Sequence, residues 1–487
     1  LWSFGNKNKK KTFHHHYTTF LHSCLVNFTD KLHDSILDCV GNTPLVKLNK
    51  IPKDHGVFCE IYAKCEFLNP SGSIKDRVAL AMMRDARKIG VVHENSTLVE
   101  PTSGNTGIGI AFNCALSDNK CIIVTEDKNS AEKVNIMRLL GAEVIQVKNN
   151  EEELKIAYAL RNDFPDHIML NQFDNDVNPK AHYESTGTEI VDALSDIDMV
   201  VMSAGTGGTL TGLGAKVKEK YPDCKIVAAE PHGSTMVVEY GEQHDFLVEG
   251  VGGTWVPMVF NKTLIDAIEV VNDEESFLMA RELSKKEGLL CGGSSGLAVA
   301  CAIKAVKRLK LGPGKRVVVI LPDGIRNYMS KFVSDQWMEA HLFMDPPKHT
   351  MKWWNQPITD LQLKYSHTTI QKDDTCARAL GLIKDKITVA VSKDSLRNAA
   401  TNPTKISGQR SEDFNFNDPV TDHLFKHVHI LAKNGKKGMP TIGRLSRILD
   451  ITPFVIIGTI DCWDYFLPEG VVTGDDVLDY IYGSSNW

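Results

Sequence analysis

The sequence predicts an α/β fold whose ligands bind at the carboxyl ends of parallel strands. Three observations carry that prediction. From about Ile36 to Phe343, short β-branched runs alternate with segments whose apolar residues recur at helical spacing. Glycines stand where those helical segments must end. Clusters of Gly, Ser, Thr and Asn follow the strands, where such a fold places its chemistry.

Taken in order, Val78–Ile89 reads as a helix closed by Gly90, and Thr97–Glu100 and Cys121–Thr125 read as strands. Ala131–Leu140 is a helix stopped at Gly141, followed by the strand Glu143–Val147. Met199–Ser203 and Lys225–Glu230 are apolar strands, Glu274–Glu287 is a helix ending at Gly288, and Arg316–Leu321 is a further strand. These glycines suit the left-handed residue that closes a helix. The expected architecture is a mostly parallel sheet with helices on both faces. After Asp345 the rhythm breaks at Pro346-Pro347-Lys348, Trp353-Trp354 and Pro357. The domain reading is therefore a flexible arm over residues 1–35, a catalytic domain over 36–343, a linker over 344–368 and a second domain over 369–487.

Composition excludes several classes. A chain of 487 residues, 42% hydrophobic and 24% charged, suits two or three globular domains. With 55 basic and 61 acidic residues the formal net charge is −6, which gives no reason to expect a nucleic acid. No stretch approaches the roughly 18 apolar residues of a membrane span. The 11 cysteines contain no C-x-x-C, which favours reduced thiols and a cytoplasmic location.

The loops carry the chemistry. Asn69-Pro70-Ser71-Gly72-Ser73-Ile74-Lys75-Asp76-Arg77 leads through a turn into a helix, with Ser73 as the expected N-cap and Lys75 in the first turn. There the helix dipole would disfavour the ammonium, and a lysine of lowered pKa suits imine chemistry. A solvated surface lysine is the plain alternative. Pro101-Thr102-Ser103-Gly104-Asn105-Thr106-Gly107-Ile108-Gly109 opens a helix with hydroxyls, an amide and mobile backbone, a ready site for a carboxylate, or else a glycine-rich turn. Ser203-Ala204-Gly205-Thr206-Gly207-Gly208-Thr209 can close backbone amides around a phosphate, but it lacks dinucleotide spacing. Cys291-Gly292-Gly293-Ser294-Ser295-Gly296 offers a hydroxyl at Ser294.

Together, and in this order, the four loops resemble the fold-type II pyridoxal-phosphate enzymes, the family of cysteine synthase and cystathionine β-synthase. That resemblance covers roughly residues 36–343 and implies a catalytic domain of two open α/β subdomains. It implies that Lys75 forms the Schiff base, that Thr102, Ser103, Gly104, Asn105 and Thr106 hold the substrate carboxylate, and that Asn105 also bonds the cofactor's ring hydroxyl. Gly205, Thr206, Gly207, Gly208 and Thr209 would cup the phosphate, Ser294 would face the pyridine nitrogen, and Gln172 would lie near the substrate. Glu249 falls in the entrance loop. Within the family, Arg326-Asn327-Tyr328-Met329 and Gly443–Leu449 look most like the cystathionine β-synthase branch.

The activity so implied is β-replacement on L-serine by homocysteine, giving cystathionine, with cysteine as a further route to hydrogen sulfide. Cysteine synthesis from O-acetylserine and sulfide is the alternative, because Gly253 and Phe173 stand where that branch usually carries tyrosines. A non-catalytic metabolite sensor is the alternative of another class, and intact Lys75, Asn105 and Ser294 argue against it. A homodimer or higher homo-oligomer is expected, with small-molecule substrates and neither nucleic acid nor membrane as partner.

The tail resembles the family's paired β-α-β-β-α regulatory motifs, an α+β domain. The first motif begins near Thr369, has a strand at Ile387–Val391, and degenerates into the polar segment Ser392–Asn417. The second keeps the Gly443–Leu449 helix and the Phe454–Ile457 strand, with Thr473 and Asp476 at positions that hold a ribose in the family, or serve as an ordinary N-cap. Whether one S-adenosylmethionine site or none persists stays open. Residues 1–29 contain no acid but include a Lys run and His14–His16. Haem is not expected, because in the family's haem arm a Cys precedes the His, and here Cys24 follows.

Overall fold

The computed structural model describes residues 32–238 and 243–344, together with Leu445 and six short strands beyond. The chain divides into two units, residues 1–40 and 41–487. The described part of the first is a short 3-10 turn, Ile36–Cys39, whose start is closed by a reciprocal pair. Leu37 N–H donates to Ser35 Oγ at 3.2 Å, and Ser35 N–H donates to Asp38 Oδ2 at 3.2 Å.

The second unit holds two sheets over residues 45–321. Its strands are β1 (Leu45–Lys47), β2 (Glu60–Cys65), β3 (Thr97–Pro101), β4 (Lys120–Glu126), β5 (Glu143–Val147), β6 (His167–Ile168), β7 (Met199–Ser203), β8 (Lys225–Pro231), β9 (Ala267–Val271) and β10 (Arg316–Leu321). One sheet has the order β1-β2-β10-β7-β8-β9 and is parallel except where β1 pairs with β2. The other has the order β5-β4-β3-β6 and is parallel throughout. The expected mostly parallel architecture is therefore realised as two sheets. The expected strands all appear, some a residue longer, while β1, β2, β6 and β9 escaped the reading.

The helices that position the site are α1 (Lys75–Lys88), α2 (Asn105–Ala115), α3 (Ala131–Leu139), α4 (Asn150–Asp163), α5 (Gly208–Lys220), α6 (Asp273–Glu282) and α7 (Gly293–Arg308). Gly90, Gly141 and Gly288 adopt φ of 77°, 89° and 73°, as expected of residues that end helices. Strand alternation builds the cores. Met199, Val201, Val317, Val319 and Leu321 face a cluster filled by α7, whereas Val200, Met202, Val318 and Ile320 face one filled by Leu210, Leu213 and Val217 of α5. In the smaller sheet, Leu98, Cys121 and Ile123 pack under α1 and α2, and Val99, Val124 and Val147 pack on Ala157 of α4. Strands buried on both faces read as continuous apolar runs, which is why β7 and β10 were recognisable.

Gly109 sets the spacing of α1 against α2. A Cβ there would lie 2.9 Å from Ala79 Cβ and 3.2 Å from the Lys75 carbonyl oxygen, so a side chain would push the two helix starts apart.

Six C-terminal strands are described: β11 (Thr368–Ile370), β12 (Ala390–Ser392), β13 (Ile406–Gly408), β14 (Phe425–Ala432), β15 (Phe454–Ile460) and β16 (Phe466–Thr473). β11 pairs with β12 in parallel, and a four-stranded sheet has the order β13-β14-β15-β16. The segment expected to be irregular, Ser392–Asn417, thus contributes β13, paired antiparallel to β14. Its polar composition hid it. The arm to residue 31, the linker residues 345–367, the Gly443–Leu449 helix other than Leu445, and Asp476 lie outside the described residues.

Candidate active site

Three of the four loops join a strand to a helix, and they converge on one cavity. From β2 the chain runs through Asn69–Ile74 into α1, whose first residue is Lys75. Ser73 caps α1 as expected of it: its Oγ accepts the Lys75 N–H at 3.2 Å, and Ile74 between them is already in helical conformation. The Lys75 side chain faces the cavity and keeps some exposed surface there, yet none of the described residues gives its Nζ a hydrogen bond or ion pair. Burial of the amine lowers its pKa to about 8. The lowered pKa agrees with expectation, and burial of the amine is a cause of it that the sequence did not reveal.

From β7 the chain passes through Ala204–Gly207 into α5. Gly207 has φ of 82°, a left-handed turn that needs glycine, and it directs the first amides of α5 outward. Those first N–H groups have no acceptor within the helix. From β3 the chain passes through Thr102–Gly104 into α2, and Thr102 Oγ1 accepts the Gly104 N–H at 3.2 Å. Gly292 lies at the cap of α7, which places buried Ser294 in its first turn.

The cavity is lined by Lys75, Asn105, Gly205, Thr206, Gly207, Thr209, Glu249 and Ser294, all expected, and by Ser203, Gly250 and Val251, which were not. Gly208 sits just behind it as the first residue of α5. Thr102 and Thr106 are buried in the loop that opens α2, Ser103 is exposed, and Thr106 Oγ1 donates to Gln172 Oε1 at 2.7 Å. Glu100, at the end of β3, accepts the Gln172 and Asn171 N–H groups at 2.9 and 3.0 Å, and burial raises its pKa to about 7. Gly253 does not line the cavity; a Cβ there would find nothing nearer than 4.0 Å. Thr473 is the last residue of β16.

Two groups of residues went unrecognised. Asp323 accepts Asn105 Nδ2 at 2.8 Å and the Tyr328 hydroxyl at 2.5 Å, while Asn327 Nδ2 donates to Asn105 Oδ1 at 3.1 Å. The Asn105 amide is thus gripped from both ends. The Arg326–Met329 motif marked this region without its role. The Glu249 carboxylate is buried between Lys133, at 2.8 Å, and Lys331. Burial would raise its pKa, but the two ammonium groups outweigh that and hold it low. Isolated lysines in a helix and a loop give no sequence signal of this pairing.

The residues fit pyridoxal phosphate. A primary amine of lowered pKa suits a carbonyl compound, and a threonine-rich helix start suits a phosphate. Ser203 Oγ, buried at the cavity wall, has no hydrogen-bond partner among the described residues.

Comparison with known proteins agrees. The family model described as pyridoxal-phosphate dependent enzyme matches residues 36–323. The chain is 39% identical over 447 residues to a cystathionine beta-synthase of Rattus norvegicus, covering 88% of this chain and 78% of the relative. It is 38% identical over 491 residues to one of Apis mellifera, covering 96% and 95%. Among solved structures, an O-acetylserine dependent cystathionine beta-synthase from Helicobacter pylori superimposes with a TM-score of 0.59 at 37% identity, covering 62% of this chain and 98% of that one. A hydrogen sulfide-producing enzyme from Fusobacterium nucleatum gives 0.58 at 38%, covering 61% and 100%.

Proposed function

This chain belongs to the pyridoxal-phosphate dependent enzymes, among them to the cystathionine β-synthases, and on that premise we propose that it replaces the β-hydroxyl of L-serine with the thiol of homocysteine. The observation that carries the reading is Lys75: an amine without a partner among the described residues, set in a cavity with a glycine-threonine loop and Ser294. Pyridoxal phosphate, when bound, supplies the electron sink for the carbanion formed at the amino acid's Cα.

The chain's own residues do the rest. With a pKa of about 8, Lys75 is partly neutral near pH 7, so its Nζ can take the Cα proton and return it to the product. Thr102, Ser103, Gly104 and Thr106, with the first amides of α2, hold the substrate carboxylate, and Gln172 steadies Thr106 from behind. Gly205, Thr206, Gly207, Gly208 and Thr209 hold the phosphate. Asn105 is aimed by Asp323 and Asn327. Ser294 offers a neutral hydroxyl to the ring nitrogen, which favours replacement over transamination. Glu249, pinned by Lys133 and Lys331, closes one wall against water.

The acceptor enters beside Gly253. Phe173 and Trp255 meet there with ring centroids 5.2 Å apart and planes tilted by 56°, forming an aromatic face where the family's usual tyrosine is absent. A Cβ at Gly253 would meet nothing nearer than 4.0 Å, so Gly253→Tyr should change stability by no more than about 0.5 kcal/mol. The expected outcome is a several-fold change in KM for homocysteine with little change for serine. Product analysis tests the whole reading: cystathionine from serine and homocysteine supports it, and turnover only with O-acetylserine and sulfide rejects it.

For the tail, the parallel β14–β15 pair followed by the antiparallel β15–β16 pair supports a β-α-β-β regulatory motif. We expect S-adenosylmethionine to bind weakly at no more than one site per chain, with Thr473 and Asp476 on the ribose. Two tight sites by calorimetry would refute this. A homo-oligomer is expected by sedimentation. A cytoplasmic location is supported by the free thiols of all eight described cysteines, and fractionation of cells tests it.

A further inference from the structure

The phosphate loop rests on a layer that the mechanism above does not use. The helical stretch Val177–Ala181 runs into a π turn, His182–Gly187, and lies under the start of α5. Asn178 and His182 are four residues apart, on one face of that stretch, and both are buried. Each reaches one threonine of the loop.

Asn178 Nδ2 donates to the Gln172 carbonyl at 2.8 Å and to Thr206 Oγ1 at 3.0 Å, so both of its protons are used. The Gln172 carbonyl fixes which end of the amide points this way. Thr206 Oγ1 also accepts the Gly208 N–H at 3.3 Å. An oxygen that accepts two hydrogen bonds must direct its own proton elsewhere, and Thr206 lines the cavity. Asn178 also explains Gly208, where a Cβ would collide with the Asn178 amide.

His182 repeats the pattern. Its Nδ1 lies 3.0 Å from Thr186 Oγ1 and its Nε2 lies 3.1 Å from Thr209 Oγ1. Burial, together with the charges of Lys75 and Arg77, holds the imidazole pKa well below its usual value, so the ring is neutral. A neutral ring has one donor and one acceptor. In the tautomer that carries the proton on Nε2, Thr186 donates to Nδ1, the Nε2–H donates to Thr209, and the Thr209 proton is freed.

We propose that Asn178 and His182 are positioning residues that turn the Thr206 and Thr209 hydroxyls into hydrogen-bond donors toward a phosphate group at the start of α5. This rests on the reading of Gly205–Thr209 as the phosphate cup. A hydroxyl held as donor meets the anion without reorganising, which raises affinity for the phosphate end of a ligand and for nothing else.

The test uses the full chain stripped of cofactor, and compares dissociation constants for pyridoxal phosphate and for pyridoxal, which lacks the phosphate. His182→Leu and Asn178→Ala should each weaken pyridoxal phosphate by about tenfold, the size of one hydrogen bond to a charged group, and leave pyridoxal unchanged. His182→Gln, which restores an N–H donor, should recover most of the loss. Thr206→Ala and Thr209→Ala serve as the reference. If they leave the ratio of the two affinities unchanged, the cup reading fails and this inference with it. If they lower it but His182→Leu and Asn178→Ala do not, or weaken both ligands equally, the two residues are structural only. Should His182→Leu fail to fold, His182→Asn and Asn178→Ala decide.

Discussion

Two cations stand two residues apart at the start of α1, and their surroundings are opposite. Lys75 faces the cavity with no partner for its amine among the described residues, and burial brings its pKa down to about 8. Arg77 points to the rear. Burial would lower its pKa too, but Glu189 and Glu66 outweigh that and keep it charged. Arg77 reaches Glu66 at 2.7 and 2.9 Å and Glu189 at 2.6 and 2.8 Å, while Lys64 joins Glu189 at 2.6 Å and Thr43 joins Glu66 at 2.6 Å. Both residues share a helix end and its dipole. What separates a reactive amine from a structural cation is therefore what lies opposite each, and the rear cluster anchors the helix that presents the reactive face.

The largest effect should come from the cavity side. Lys75→Met should lower β-replacement by at least about 10³-fold, since the group that moves the Cα proton is gone. The visible absorption of the lysine-bound cofactor should vanish with it in a spectrum of the reconstituted protein. Retention of both would mean that another amine does the work. On the rear side, Arg77→Met leaves Glu66 buried and Glu189 short of its main partner. Urea unfolding should show a loss of about 3–5 kcal/mol, against no comparable loss in stability for Lys75→Met.

The same pair separates in pH. An unfolded lysine titrates near 10.5, the folded Lys75 near 8, so between those values the unfolded chain binds more protons. Cofactor-free protein should gain stability as pH rises from about 8 to about 10.5. At pH 8 and below, Lys75→Met should be the more stable form, by up to about 3 kcal/mol. Above 10.5 the two should coincide. Parallel curves for wild type and variant would show that the amine is solvated.

The two faces were not equally legible in the sequence. Lys75 was singled out by a loop with Pro, Gly and Ser at turn positions that opens a helix, and its role came from the resemblance that the four loops carry together. The anchor behind it was not, since Glu66, Arg77 and Glu189 are far apart in sequence and each reads as a surface charge. β2 was missed for a related reason: Lys64, which interrupts its apolar pattern, is buried in that cluster. β7 and β10 were plain because both their faces are apolar. Asn178 and His182 escaped because a π turn breaks their helix and their threonines lie some thirty residues on. The cap at Ser73 was legible because a hydroxyl just ahead of a helical run can accept an N–H of its first turn, as Ser73 does.

Asp76, between the two cations, offers the smallest and sharpest test of the contrast. Burial raises its pKa to about 6, although the Ser71 hydroxyl and N–H, the latter at 2.7 Å, pull the other way. It thus lacks a cation strong enough to offset burial, and belongs with Lys75 more than with Arg77. In the unfolded chain the carboxyl titrates near 3.8, so between about 4 and 6 the folded protein binds more protons. Its contribution to stability is whole below that window and is lost as pH rises through 6. Asp76→Asn keeps an acceptor for the Ser71 N–H and a donor for its hydroxyl, and carries no charge. The variant should lack that decline, which is about 3 kcal/mol, so it should match wild type below about pH 4 and exceed it in stability by roughly that amount at pH 7. Unfolding curves at pH 5 and pH 7 decide the matter. Equal slopes in the two proteins would mean that Asp76 is charged throughout and shares the Arg77 cluster, and the front of α1 would then be less sealed than its geometry indicates.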